Sequence, residues 1–255
     1  MNGRSGRSVR VEILESPEEV ARRAHELVCS ALVAARRAER TPVLGLASGS
    51  SMKLLYARVA AEARALAMPV DDLSLVALDE YAGIDPSGPG SFRDQLLRRV
   101  VFAWGMEPGR LLMPPAAEPT TEALAAFEEA IGALGGVDLQ LLGIGANGHI
   151  AFNEPGTPWD SRTRLVTLAE STRAANSDGF PGRVPEQAVT QGIATILGAR
   201  ALLLLATGAH KAEAVAAALG APRVDCPASV LQNHPDATML LDPEAASRLP
   251  GRFRR

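Results

Sequence analysis

Cysteine is nearly absent from this chain. Cys29 and Cys226 are the only two in 255 residues, and neither sits at metal-ligand spacing from other ligand types. The sequence therefore reads as a cytoplasmic protein with two reduced thiols. Charge of one sign is lacking as well: 26 Lys and Arg are offset by 29 Asp and Glu, for a net −3. No bulk positive field exists to attract nucleic acid. No apolar run approaches the ~20 residues of a membrane span. The opening residues, Met1 to Ser8, have Gly, Ser and Arg but no apolar core, so they do not read as a signal peptide. These residues and the tail from Pro250 to Arg255 read as flexible, solvated ends.

What is present is ordinary for a soluble globular protein: 47% hydrophobic and 22% charged residues. The length suits one α/β domain, expected over residues 9–249. Short apolar strands alternate with amphipathic helices, which predicts a mostly parallel, doubly wound (Rossmann-like) sheet with helices on both faces. Val9 to Leu14 reads as an entering strand. Ser16-Pro17-Glu18-Glu19 reads as a capping box with Pro in the first turn of a helix reaching about Glu39. Further strands are expected at Val43 to Ala47, Leu73 to Leu78, 137–144, Ala201 to Ala206 and Thr238 to Leu241. Helices are expected from Met52 to Leu66, Ser91 to Val101, Thr121 to Leu134, Gln187 to Leu197 and His210 to Leu219. The stretch 153–185 is polar and irregular, with short helical possibilities, and reads as a lid beside the site. No internal repeat or linker is visible.

The most informative stretch runs from Val137 to Pro155. Val137, Leu139, Leu141, Leu142 and Ile144 form a buried-strand run, which then breaks at Gly143, Gly145 and Gly148. An amide (Asn147), an imidazole (His149) and a carboxylate (Glu154) follow at once. A strand that ends in glycines and delivers a His and a carboxylate suits a site at the carboxyl edge of a parallel sheet. Two other segments share that logic. Ser48-Gly49-Ser50-Ser51 follows a strand and opens a helix, where N–H groups and hydroxyls make an anion cradle. Lys211 follows another strand through a glycine turn and can bring a point charge to a phosphate. Asp79 ends a strand and offers a carboxylate for proton transfer. Each has a plainer alternative: a connecting turn, a solvated helix lysine, a helix cap, a hydrogen-bonded core histidine.

The Val137 to Pro155 run resembles the central signature of the glucosamine-6-phosphate deaminase (isomerase) family, usually written LLGIGxDGHIAFNEPG. Further matches occur in the family's order at Gly45 to Ser51, Leu78 to Tyr81, Ser161 to Arg164, Gly208 to Ala212 and Pro227 to His234. The resemblance implies conversion of D-glucosamine 6-phosphate and water to D-fructose 6-phosphate and ammonium, with no metal or organic cofactor. It implies that Ser48, Gly49, Ser50, Ser51 and Lys211 hold the sugar phosphate. His149, with Glu154, would open the pyranose ring. Asp79 would move a proton between C2 and C1 of the open chain. Glu80 would be structural. The implied partner is a small sugar phosphate, with no nucleic acid or membrane, and the family permits a homo-oligomer.

Three departures stand out. Asn147 replaces a carboxylate of the pattern, so it can orient the imidazole but brings no charge. Asp178 stands where the family has a phosphate-clamping Arg, which leaves three alternatives: the lid is arranged differently with Asp178 toward solvent, Arg183 or another Arg substitutes, or the substrate differs. Arg164-Leu165-Val166 lacks the Lys of the family's allosteric Arg-x-Lys pair, which predicts weak or absent activation by N-acetylglucosamine 6-phosphate. The alternatives are a deaminase of a related amino sugar such as galactosamine 6-phosphate, a 6-phosphogluconolactonase, and a non-catalytic sugar-phosphate sensor.

Overall fold

A computed structural model of the chain describes residues 9–65, 68–177 and 180–253. Strand β1 (Arg10–Ile13) leads into helix α1 (Pro17–Arg37). Ser16 Oγ accepts from Glu19 N at 3.3 Å, Pro17 lies in the first turn, and Arg36 and Arg37 close the last turn. Both ends thus match the backbone dipole. Val20, Ala24, Val28, Leu32 and Ala35 form the buried stripe of α1 at helical spacing. Next come β2 (Val43–Leu46), α2 (Lys53–Arg64), β3 (Ser74–Ala77), β4 (Asp79–Tyr81) and α3 (Phe92–Leu96), which runs on as a π turn over Leu97–Val101. They are followed by β5 (Leu111–Leu112), α4 (Thr121–Ala133), β6 (Leu139–Leu142), β7 (Arg164–Thr167) and α5 (Glu170–Ala175). The chain then forms β8 (Gln187–Thr190), α6 (Ile193–Leu197), β9 (Ala201–Ala206), α7 (Ala212–Ala218) and β10 (Ala237–Leu241).

Seven strands form the main sheet in the order β1-β10-β9-β6-β2-β3-β5. Every pairing in it is parallel. The chain winds outward from β2 through β3 to β5, then returns to lay β6 on the other side of β2 and winds outward again. The switch point therefore lies between β2 and β6, and the crevice beyond their carboxyl ends is the place for a ligand. The strands there are buried on both faces, which explains their near-continuous apolar runs, broken in β6 only by the buried Gln140. Each fully buried leucine among them, such as Leu44, Leu141 or Leu204, contributes about 2 kcal/mol of burial free energy.

A second sheet, β4-β8-β7, is antiparallel and small. It differs from the sequence expectation in three places. Asp79 opens a strand rather than merely ending one. Arg164–Thr167, inside the stretch read as irregular, is a strand. Gln187 to Leu197, read as one helix, is strand β8 followed by the short helix α6. Ala188, Val189 and Thr190 pair on both sides, with β4 and β7, and that pairing outweighs a helical periodicity shared by so short an apolar run. Gly192 separates strand from helix, since a Cβ there would overlap the Ser161 carbonyl.

The tail also differs from expectation. Gly251–Phe253 forms a 3-10 turn, and Phe253 packs against the main core instead of fraying. Residues 1–8, 254 and 255 of the expected flexible ends lie outside the described residues, as does Asp178. Cys29 and Cys226 are free thiols. No helix among the described residues is long and apolar enough to cross a membrane.

Candidate active site

A cavity of about 330 Å³ opens at the switch point. Its walls include Ser48, Gly49, Ser50 and Ser51 after β2, Asp79 after β3, Gly145 and His149 after β6, and His210 and Lys211 after β9. Thus four parallel strands each deliver one part of the site at their carboxyl ends. Asn147 and Glu154 stand behind His149 rather than on the wall.

The segment Ser48 to Ser51 turns into α2 through a 3-10 turn, Ser50–Met52, that no side chain caps. Among the described residues no side chain occupies its backbone N–H groups, which lie at the positive end of a 12-residue helix. Lys211 closes the facing 3-10 turn, Ala209–Lys211. That turn is held by Gly208, whose φ of +89° places it in the left-handed region and whose N–H donates to the Asp242 carboxylate at 2.9 Å. Lys211 is half-buried with no ion-pair partner among the described residues, and burial pushes its ammonium below the ordinary lysine range. A half-buried, unpaired cation is stabilised by an incoming anion.

Asp79 is 7% exposed, and its carboxyl is pushed up to about 7. Burial is the main cause, the neighbouring Glu80 charge adds to it, and the Ser48 hydroxyl opposes both. A carboxylate poised near neutrality is suited to take a proton and return it. Glu80 turns away from the cavity. It accepts from Tyr81 N at 2.8 Å, Phe92 N at 3.0 Å and Arg93 N at 2.8 Å, so it caps α3. That is the structural role expected of it.

The loop after β6 is built around His149. The imidazole lies on Gly145, where any Cβ would overlap the ring. Gly148 has φ +86°, and a Cβ on it would come 2.8 Å from Cys226 Sγ. Gly145 N donates to His149 O at 2.9 Å and Gly148 N to Gly145 O at 3.0 Å, closing the loop on itself. Ala228 N donates to Gly148 O at 2.9 Å, tying the loop to the turn Pro227–Asn233. Behind it, buried Asn153 donates to Ile150 O at 3.1 Å and Gln191 O at 2.9 Å and accepts from Arg164 at 2.9 Å.

His149 Nδ1 lies 3.7 Å from Glu154 Oε2, beyond a hydrogen bond but close enough for charge attraction. Asn147 Nδ2 donates to the same oxygen at 2.7 Å, while Asn147 Oδ1 accepts from His149 N at 3.2 Å. Glu154 Oε1 accepts from the Thr172 hydroxyl. Burial raises the Glu154 carboxyl, but His149, Thr172 and Asn147 together outweigh it and bring it down to about 2. Glu154 is thus an anion at every ordinary pH, with Asn147 serving as a donor to it.

Sequence reasoning missed Thr172, Ala175 and Asn176, which bring α5 to the cavity, as well as His210. The first three share one helix face at i, i+3 and i+4, a signal visible once α5 is placed. Arg183 is not at the cavity; it pairs with Glu186 at 2.6 Å on the surface. Arg173 is also absent from the cavity walls and stands 3.7 Å from the same Glu186.

Residues 15–240 match the model of the glucosamine-6-phosphate isomerases/6-phosphogluconolactonase family. The chain belongs to this family. Within it, the chain is 43% identical over 244 residues to a glucosamine-6-phosphate deaminase of Streptomyces avermitilis, covering 94% of this chain and 93% of that one. It is 44% identical over 228 residues to a glucosamine-6-phosphate deaminase of Beutenbergia cavernae, covering 88% and 87%. Among solved structures it is similar to a monomeric glucosamine-6-phosphate deaminase, with a TM-score of 0.88 and 37% identity, covering 94% of this chain and 100% of that one. The 6-phosphogluconolactonase of Trypanosoma brucei shares the fold at a TM-score of 0.73 and 22% identity, covering 95% and 99%.

Proposed function

We propose that this chain is a glucosamine-6-phosphate deaminase, converting D-glucosamine 6-phosphate and water to D-fructose 6-phosphate and ammonium. The observation that carries the reading is the meeting, in one cavity, of an anion cradle, an imidazole backed by a carboxylate, and a buried acid poised near neutrality. The relatives named deaminase, at over 40% identity across most of the chain, support it.

In this reading the phosphate sits between the N–H groups of Ser48 to Ser51 and the Lys211 ammonium. The sugar ring then lies toward Asp79 and His149. His149 exchanges a proton at the ring oxygen and opens the pyranose, with Glu154 balancing the imidazolium charge and Asn147 holding Glu154. Asp79 takes the proton from C2 of the open chain and returns it to C1, while the amino group gives up a proton and O1 takes one up, which leaves an iminium at C2 and a hydroxyl at C1. Water adds at C2 and ammonia leaves, giving the ketose. Every group in this sequence belongs to the chain, so no step calls for a cofactor. Residues 9–249 act as one unit, with the segment 153–185 as a lid beside the site. The enzyme works in the cytoplasm, where both thiols stay reduced.

Ammonium release from D-glucosamine 6-phosphate by the purified protein tests the reading, with Asp79→Asn as control. Release that vanishes in the control is the expected result. No release from folded wild type sinks it. Galactosamine 6-phosphate and 6-phosphogluconolactone, run beside it, decide the epimer and the lactonase alternative. Binding of the hexosamine phosphate without turnover would mark a sensor.

A further inference from the structure

Glu154 is held from two sides. On the loop side Asn147 donates to Oε2 at 2.7 Å, the oxygen that faces His149 Nδ1 at 3.7 Å. On the other side the hydroxyl of Thr172 donates to Oε1. Thr172 is 3% exposed and sits mid-way along α5. A helical threonine commonly returns its hydroxyl to the carbonyl one turn back. Here the hydroxyl is spent on a carboxylate outside its helix, and among the described residues no other hydrogen bond of that side chain competes.

The same helix presents Ala175 and Asn176 to the cavity. It is framed by β7 before it and β8 after it, and β8 pairs with β4, the strand that begins at Asp79. The Asn176 side chain also engages the Tyr81 hydroxyl on β4. A single short helix therefore closes one wall of the cavity and fixes one oxygen of the carboxylate behind His149.

We propose that Thr172 is a positioning residue for the deamination: its hydroxyl fixes the Glu154 carboxylate in the orientation from which it supports His149 during ring opening. The inference rests on the deaminase reading and deepens it. Both neutral donors to Glu154 leave the carboxylate charge for the imidazole, and only one of them, Asn147, lies on the rigid catalytic loop. The other, Thr172, lies on α5. A carboxylate freed on one side rotates about its terminal torsion, and a misplacement of about 1 Å is enough to cost up to a hundredfold in rate.

The experiment compares Thr172→Val, Thr172→Ala and Thr172→Ser with wild type in ammonium release from D-glucosamine 6-phosphate. The valine keeps the shape and drops the hydroxyl, the serine keeps the hydroxyl, and the alanine covers a poor fit of valine. Folding is checked by thermal unfolding. Binding of an acyclic amino-alditol 6-phosphate, which mimics the opened sugar, is measured in parallel. The expected result is a fall in kcat of about tenfold or more for the valine and alanine variants, with KM within about twofold. Serine restores most of the rate, and the acyclic ligand binds all four proteins alike. A valine variant as active as wild type overturns the proposal. So does equal impairment of all three variants with loss of acyclic-ligand binding, which would make Thr172 a packing residue. Absence of turnover in wild type is a different outcome: it fails the deaminase reading, and this inference falls with it.

Discussion

Asn147 gives its side-chain amide to Glu154, at 2.7 Å, and only its carbonyl oxygen to the His149 backbone, at 3.2 Å. The residue that breaks the family's carboxylate pattern thus acts on the remaining carboxylate. Its amide is one of the groups holding Glu154 down at about 2. Asn147→Asp removes a donor and adds a like charge at the same place, and both changes oppose the ionised form of Glu154. The Glu154 carboxyl is expected to titrate well above its wild-type position, read by carbon NMR of labelled glutamate. An unmoved Glu154 would mean that Asn147 does not control it.

Asp79 predicts a second pH effect, with opposite signs for activity and stability. Its carboxyl stands at about 7 in the folded protein against an ordinary value of 3.8. As the base in the proposed reaction it must be ionised, so kcat/KM is expected to rise through about pH 7 and then level. Stability runs the other way. The folded state holds the Asp79 proton more tightly than the unfolded state does. Its stability is therefore intact below about pH 4, falls between pH 4 and 7, and is fully diminished above, by up to about 4 kcal/mol from this group. Asp79→Asn removes that loss. The variant is expected to be inactive yet to melt several degrees above wild type in alkaline buffer, and to match it in acid. A variant less stable than wild type at alkaline pH would contradict the burial assigned to this carboxylate.

Apart from its two-residue edge strand β5, which the sequence analysis missed, the main sheet was legible because its strands are buried on both faces and its helices carry strong stripes: the α1 cap at Ser16, the α1 stripe and the run at Leu139 to Leu142 all fall where the sequence puts them. The small sheet was not. β4, β7 and β8 are three or four residues each, and β7 alternates between half-buried and exposed positions. What fixes them is pairing between segments at least 20 residues apart, as between Thr167 and Gln187, and far more between Asp79 and Thr190, which no local window contains. The chemistry-bearing residues of the site were read from strand ends, where the fold itself concentrates them. Thr172 escaped because a hydroxyl in a polar stretch looks like any other until its partner, Glu154, is brought beside it.

Gly145 tests how closely the loop is built to the imidazole. A Cβ at this position overlaps the His149 ring, although the backbone itself is not in the left-handed region. Gly145→Ala is therefore expected to displace the imidazole while leaving the sheet intact. Ammonium release should fall by about a hundredfold with a melting temperature close to wild type. Full activity would show that the ring has another place to go.

Arg164 carries a prediction about regulation. Its guanidinium donates to Asn153 Oδ1 at 2.9 Å and to the Thr157 hydroxyl at 3.4 Å, so it braces the catalytic loop, and the family's companion lysine is Val166 in this chain. N-acetylglucosamine 6-phosphate is expected to leave the half-saturating substrate concentration within about twofold, since the lysine that would contact an effector is missing at Val166. A sharp drop in that concentration on adding the effector would overturn this.

Lys211 separates binding from chemistry. In the proposed reaction it is remote in role from the proton-transfer groups, and its half-buried ammonium has no counter-ion among the described residues. Removing it should weaken the ground state and the transition state alike, because the phosphate is the same in both. Lys211→Met is therefore expected to raise KM by about tenfold to a hundredfold with kcat little changed, and to abolish competitive inhibition by inorganic phosphate. Methionine keeps the apolar stem in its half-buried slot, so packing is spared. If kcat fell and KM held, Lys211 would belong with the groups that act on the sugar ring, and the phosphate would have to be held by the Ser48 to Ser51 turn alone.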